Sequence, residues 1–134
     1  MIDKKLLLIV NPHSGTGKMK PNLLKVVEIF SNADYTVTVY PTKSRLDATN
    51  KVESLGNGEY DLIVVCGGDG TLNEVITGVM NKKLDCKLGY IPSGTLNEWS
   101  SGLGISRNIS HAAKDIVNGK EITIDIGKFG EKYF

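Results

Sequence analysis

The chain has 134 residues, enough for one domain with one substantial core. Sixteen Lys and Arg against fifteen Asp and Glu leave a net charge of +1, which argues against a general nucleic-acid binder. No apolar stretch approaches the ~20 residues of a membrane helix, and Met1-Ile2-Asp3-Lys4-Lys5 leads into a strand pattern, not a signal peptide.

Strand and helix patterns alternate along the chain. Leu6 to Val10 is an apolar run that reads as a fully buried strand. Asn11 to Lys20 is a polar, glycine-containing loop. Pro21 to Phe30 reads as a helix, with Pro21 suited to the first turn and Leu23, Leu24, Val27 and Phe30 at helical spacing. Tyr35 to Tyr40 alternates as a strand. Asp47 to Leu55 follows as a helix ended by Gly56. Leu62 to Cys66 is a central strand. Thr71 to Met80 is amphipathic, with Leu72, Val75, Ile76 and Val79 on the core-facing side. Leu88 to Ile91 is a short strand running into Pro92. Ile109, Ala112, Ala113, Ile116 and Val117 mark another helix, closed by Gly119, and Glu121 to Lys128 alternates as a last strand. Cys66 and Cys86 have no metal spacing. Cys66 ends an apolar strand as a small buried hydrophobe, and no disulfide is expected. His111 is expected on a helix surface, and Lys82-Lys83 in a solvated loop.

This alternation predicts parallel strands joined by right-handed crossovers. The expected architecture is an α/β fold: an open, doubly wound parallel sheet with helices on both faces, Rossmann-like, its ligand site at the carboxyl ends of the strands. Three polar or glycine-rich loops fall at that edge: Asn11 to Gly17, Gly67 to Thr71, and Pro92 to Asn97. The middle one, Cys66-Gly67-Gly68-Asp69-Gly70-Thr71, is the most specific. A strand that delivers its end to a helix N-terminus aims backbone N–H groups and the positive end of the helix dipole at one point, an anion site. Gly68 or Gly70 is expected to need positive φ or close approach of a phosphate to the backbone. Asp69 is the anomaly, because a carboxylate beside phosphate is repelled unless it meets a metal, a sugar hydroxyl or an acceptor hydroxyl.

The commoner nucleotide fingerprints do not fit. The dinucleotide pattern requires Gly where Asn73 stands, and the P-loop requires Gly and Ser or Thr where Pro12 and Met19 stand. The loop Asn11-Pro12-His13-Ser14-Gly15-Thr16-Gly17-Lys18 can cradle phosphate through its amides, or simply connect strand to helix. His13 has no identifiable carboxylate partner for acid–base work. Thr95 and Asn97 can donate to phosphate or ribose, or cap the next helix. Trp99 is expected to pack into the core.

Taken together these residues resemble the catalytic domain of diacylglycerol kinases and related lipid kinases. That group includes sphingosine and ceramide kinases, with NAD kinases as more distant relatives. The resemblance rests on Leu8-Ile9-Val10-Asn11-Pro12 with Ser14-Gly15, and on Val65-Cys66-Gly67-Gly68-Asp69-Gly70-Thr71-Leu72-Asn73-Glu74-Val75. It continues through Gly89-Tyr90-Ile91-Pro92-Ser93-Gly94-Thr95-Leu96-Asn97 and Ile124-Asp125-Ile126-Gly127, so it spans Lys5 to Phe134. The chain departs from the family pattern at Ser93 and at Asn97-Glu98-Trp99-Ser100.

The resemblance implies an NAD kinase-like or diacylglycerol kinase-like fold and an ATP-binding domain of a lipid kinase, with ATP and Mg2+ as cofactors. It implies that Gly67, Gly68, Asp69, Gly70, Thr71, Leu72 and Asn73 hold the ATP phosphates. Asn11, Ser14, Gly15, Thr42 and Thr95 become further nucleotide contacts, and Asp69 the essential acidic residue. It implies a lipid partner such as diacylglycerol, a cytoplasmic protein with peripheral membrane contact, and leaves a homodimer open. Metal ligands are not assigned. Family members carry a second, mostly β domain, thought to contribute a general base and a metal site, so residues 1–134 are expected to be the N-terminal nucleotide-binding domain. An NAD kinase-like enzyme with a soluble acceptor and a nucleotide-sensing module without transferase activity are the alternatives.

Overall fold

The computed structural model describes residues 4–13, 19–92, 109–119 and 124–125. Strand β1 (Lys4–Val10) is buried over its last five residues, and β3 (Leu62–Gly67) over its whole length. Uninterrupted apolar runs of this kind are stable only when both faces of the sheet are covered. Four helices provide the cover. On one face α2 (Asp47–Glu53) and α3 (Asp69–Lys82) close a core of Leu7, Ile9, Val52, Ile63, Val65, Leu72, Val75, Ile76 and Tyr90. On the other, α1 (Met19–Asn32) and α4 (Ile109–Val117) close a core of Leu6, Leu8, Val26, Phe30, Val64, Cys66, Ile91, Ala112 and Ile116.

With β2 (Tyr35–Pro41), β4 (Lys87–Pro92) and β5 (Ile124–Asp125), the sheet has the order β2-β1-β3-β4-β5. The first four strands are parallel, in register Val10 with Pro41, Val10 with Cys66, and Gly67 with Pro92. This is the predicted open, doubly wound sheet. The chain first moves outward from β1 to β2, then restarts at β3 on the other side of β1. The switch point therefore lies between β1 and β3, where a doubly wound sheet opens a crevice.

Several boundaries and faces differ from the sequence-based expectation. Leu24 is 71% exposed, and the buried stripe of α1 is Leu23, Val26, Val27 and Phe30. Each residue advances about 100° around a helix, so a stripe centred on Val26 and Phe30 leaves Leu24 outside it. Helix α2 ends at Glu53 with a right-handed Ser54 cap, and not at Gly56; the positive-φ glycine in that turn is Gly58 (φ 82°). Gly119 closes α4 as expected, at φ 73°, its N–H donating to the Ile116 carbonyl at 3.2 Å. The last strand is antiparallel, with Leu88 opposite Ile124 and Lys87 opposite Asp125. Alternating strand and helix patterns predicted only parallel strands; an antiparallel neighbour at the sheet edge, common in mixed sheets, avoids the crossover a parallel one requires. Cys66 is fully buried, as expected, and His111 is exposed and paired with Asp115 at 3.6 Å.

Helices α2 and α3 approach closely at one glycine. A Cβ on Gly78 would lie 2.9 Å from Val52 Cβ and 3.0 Å from the Thr49 carbonyl oxygen. The same contact is stitched by Thr49 Oγ1, which donates to the Glu74 carbonyl at 2.7 Å. Ala is favoured over Gly in a helix by roughly 1 kcal/mol. Overpacking against backbone costs typically about 1–3 kcal/mol, and here the obstacle cannot rotate away. Gly78→Ala is therefore expected to destabilise the fold by up to about 2 kcal/mol. Urea unfolding checks this: a midpoint equal to or above wild type would remove the close-packing role of Gly78.

Candidate functional site at the carboxyl edge of the sheet

β3 ends at Gly67, Gly68 is the N-cap of α3, and Asp69 is its first residue. No side chain caps this helix. Its opening N–H groups, Gly70 and Thr71 among them, have no acceptor within the helix, and its dipole is positive there. Leu72 is the first to bond back, donating to the Gly68 carbonyl at 3.2 Å.

The glycines do not work through positive φ. Gly68 has φ −90° and ψ −177°, extended backbone open to any residue, and neither Gly67 nor Gly70 has positive φ. The constraint is space. A Cβ on Gly67 would sit 3.0 Å from both Cβ and Oγ1 of Thr71 and 3.4 Å from Cβ of Asn11. Around Gly70 a Cβ would meet nothing within 4 Å, so that residue faces open space at the helix mouth. Of the expectation for Gly68 and Gly70, positive φ is excluded; the tight space lies instead at Gly67, against Thr71 and Asn11.

Asn11 ties the two central strands together at the switch point. Its N–H donates to the Cys66 carbonyl at 2.9 Å, and Nδ2 donates to Thr71 Oγ1 at 3.2 Å. Its Oδ1 accepts the His13 N–H at 3.0 Å. Asn11, Gly67 and Thr71 are therefore one packed unit. Thr42 follows β2 and turns both donors to the Val10 carbonyl, N at 2.8 Å and Oγ1 at 3.4 Å, which pins the end of β2 to the end of β1. Gly68, Asp69, Gly70 and Asn73 lie at or near the surface. Leu72 does not: its side chain is fully buried under α3 and its N–H is spent within the helix. It supports the turn between β3 and α3 from beneath. Ser14, Gly15 and Thr95, with Asn97 and Trp99, lie outside the described residues.

Tyr90 belongs to this site and was not singled out from the sequence. It stands on β4 opposite Val65, 1% exposed, with its ring in the α2–α3 core. Its hydroxyl lies 3.0 Å from Asp69 Oδ1 and 3.2 Å from the Gly67 carbonyl oxygen. A tyrosine inside an apolar strand that must reach a polar partner was the available signal. Burial first, and then the negative charge of Asp69, push the Tyr90 hydroxyl well above its ordinary range. Burial does the same to the Cys66 thiol.

Among the described residues, no group of three or more His, Cys, Asp or Glu side chains could hold a metal ion. No described helix is long and apolar enough to cross a membrane. A cleft of about 500 Å³, lined by Lys4, Tyr35, Asp61 and Lys87 among others, opens where the strands begin. Among the described residues no helix N-terminus points there; that of α3 opens at the opposite edge.

The buried hydroxyl and thiol set the alkaline behaviour. Both groups charge by losing a proton, and both hold it to higher pH in the folded chain than in the unfolded one. Unfolding therefore releases protons once pH passes the ordinary Cys and Tyr values, about 8.5 and 10. Stability should fall as pH rises from about 9 to 11, by about 1.4 kcal/mol per pH unit for each group titrating. Cys86, pushed up to about 11 by burial and Asp85, acts in the same direction. Tyr90→Phe should flatten the decline above about pH 10. Urea unfolding at stepped pH measures it, and a flat or rising profile would contradict the buried, protonated pair.

Comparison with known proteins agrees with this geometry. Residues 5–129 match the family model described as diacylglycerol kinase catalytic domain. A diacylglycerol kinase of Staphylococcus aureus (strain bovine RF122 / ET3-1) is 37% identical over 131 residues, covering 98% of this chain and 42% of the relative. That of strain MRSA252 gives the same figures. The crystal structure of a diacylglycerol kinase from Bacillus anthracis str. Sterne superposes with a TM-score of 0.78 at 39% identity, covering 87% of this chain and 40% of that one. The chain thus spans about 42% of the length of the curated relatives it matches. With the doubly wound sheet and the glycine loop in place between β3 and α3, the chain belongs to the diacylglycerol kinase catalytic domain family.

Proposed function

We propose that this chain is the nucleotide-binding part of an ATP-dependent lipid kinase, which passes the γ-phosphate of ATP to the hydroxyl of diacylglycerol or a related lipid. The observation that carries the reading is the amino-terminal end of α3, capped by Gly68 without a side chain and bordered by Asn11 and Asp69 at the switch point of the sheet. Phosphoryl transfer depends on positioning and charge stabilisation far more than on covalent chemistry. Backbone N–H groups at the helix mouth would hold phosphate oxygens, and Gly70 would let them come close. Asp69 would orient the acceptor hydroxyl. The names of the matched relatives support a lipid acceptor over a soluble one. Mg2+ would accompany ATP as its counterion; among the described residues no group of three or more His, Cys, Asp or Glu side chains forms a site for it.

In the same reading, a second, mostly β domain forms the other wall of the cleft and supplies the general base. The complete protein would then be cytoplasmic and meet the bilayer peripherally, where its lipid substrate lies.

Nucleotide binding is checked on this chain by thermal shift with ATP–Mg2+. Ligand at about a hundred times its dissociation constant should stabilise the fold by roughly 2.7 kcal/mol. Gly70→Ala should leave the ligand-free midpoint unchanged or higher, since its Cβ meets nothing, and should reduce the shift. A folded chain with no shift would count against a preformed phosphate site.

Asp69 is tested in the full-length protein. Asp69→Asn keeps size and polarity, so nucleotide should still bind, with KM for ATP within a few-fold of wild type. The value of kcat should fall at least about a hundredfold, the range of a lost acid–base or electrostatic contact. Parallel assays with diacylglycerol and NAD as acceptors decide the substrate class. Wild-type kcat in Asp69→Asn would take the transfer role away from this residue.

A further inference from the structure

Tyr90 makes a contact that a purely structural tyrosine would not need. Its ring is fixed in the core beneath α3, and only its hydroxyl reaches the carboxyl edge. One acceptor is enough to satisfy a buried hydroxyl, and the Gly67 carbonyl at 3.2 Å provides it. Yet Asp69 Oδ1 stands closer, at 3.0 Å. A hydroxyl has a single proton to give. A carboxylate is a stronger acceptor than an amide carbonyl, so the proton goes to Asp69.

The direction of support matters as well. Asp69 is the first residue of α3, partly exposed, at a position where the helix dipole attracts its charge without fixing its orientation. Tyr90 comes from a different element, β4, and its position is set by ring packing through only two torsions. A donor held that rigidly gives the partly exposed carboxylate a fixed direction. Resting on the kinase reading above, we propose that Tyr90 is a positioning residue, whose hydroxyl holds the Asp69 carboxylate in the orientation that phosphoryl transfer uses. Tyr90 does not itself exchange the proton. Its ring is walled in on the core side, and its partner is Asp69, not the nucleotide edge.

Two measurements test the assignment. The first needs no catalysis. In this chain, the Tyr90 hydroxyl proton should be protected from exchange with water and visible by NMR. It should vanish in Tyr90→Phe and shift in Asp69→Asn. A resonance indifferent to Asp69→Asn would place the proton on the Gly67 carbonyl and overturn the proposal.

The second is a double-mutant cycle in the full-length protein, with ATP and diacylglycerol vesicles. Tyr90→Phe should lower kcat by about tenfold to a hundredfold, the worth of one hydrogen bond to a charged group, and leave KM for ATP within about twofold. Tyr90→Phe added to Asp69→Asn should cost nothing further, because the hydroxyl acts only through the carboxylate. Independent, multiplying losses in the double variant would reduce Tyr90 to a structural residue, as would wild-type kcat in Tyr90→Phe. A wild-type protein that phosphorylates no acceptor would sink the kinase reading and the transfer role of Tyr90 with it. The hydroxyl-proton measurement would still register the contact between the two side chains.

Discussion

Strands β1 and β3 are apolar on both faces, and that single constraint generates most of the molecule. A strand buried on one face can be covered by one helix layer. Leu6 to Val10 and Leu62 to Cys66 are buried throughout and require two. Crossovers between parallel strands are right-handed, so putting helices on both faces obliges the chain to reverse its direction of travel across the sheet. The reversal falls between β1 and β3, the two strands with the most to bury. The crevice at the switch point is thus a by-product of covering the core. Asn11 then welds its rim, with its N–H on the Cys66 carbonyl and its amide on Thr71. The same burial that stabilises the sheet therefore holds α3 with its amino terminus open at the edge.

Much of this was legible in the sequence, because periodicity reports burial directly. The i, i+3, i+4, i+7 spacing of Leu72, Val75, Ile76 and Val79 located the core face of α3, and all four are buried. The errors fall where burial is not what decides. Leu24 is apolar but off the stripe, and a composition-led reading of α1 could not tell it from Val26. Gly56 resembled a helix stop because glycine commonly is one, whereas α2 stops at Ser54 and the left-handed turn is taken by Gly58. The direction of β5 depends on a partner strand, which local pattern does not encode.

The glycine loop was legible in identity and misread in mechanism. Glycine signals either unusual backbone angles or close approach, and the sequence does not separate the two. Here Gly67 is small because Thr71 packs against it, whereas nothing within the chain requires a glycine at position 70, where a Cβ would meet open space. Tyr90 was missed for a related reason. In Gly89-Tyr90-Ile91-Pro92 it reads as one more bulky strand residue, and only the meeting of β4 with the first turn of α3 gives its hydroxyl a partner.

Asp69 has a stabilising role that involves no ligand: an acid in the first turn of a helix gains about 0.3–1 kcal/mol from the dipole. Anion binding would reverse that balance. A phosphate charge about 4 Å from the carboxylate is opposed by roughly 4 kcal/mol at a near-surface dielectric, several times the dipole's contribution. The helix mouth therefore cannot favour a bare phosphate while Asp69 stays charged beside it. Two kinds of ligand escape the penalty: one that carries its own cation, and one that presents a hydroxyl that can donate a hydrogen bond to the carboxylate. A nucleotide triphosphate with its counterion is the first, and an alcohol acceptor is the second. Tyr90 sharpens the selection, because a carboxylate fixed in direction cannot turn away from an anion that arrives alone. A plain anion site would be better served by any neutral residue at position 69. Its acid makes chemical sense in a site that takes a phosphate donor and a hydroxyl acceptor together.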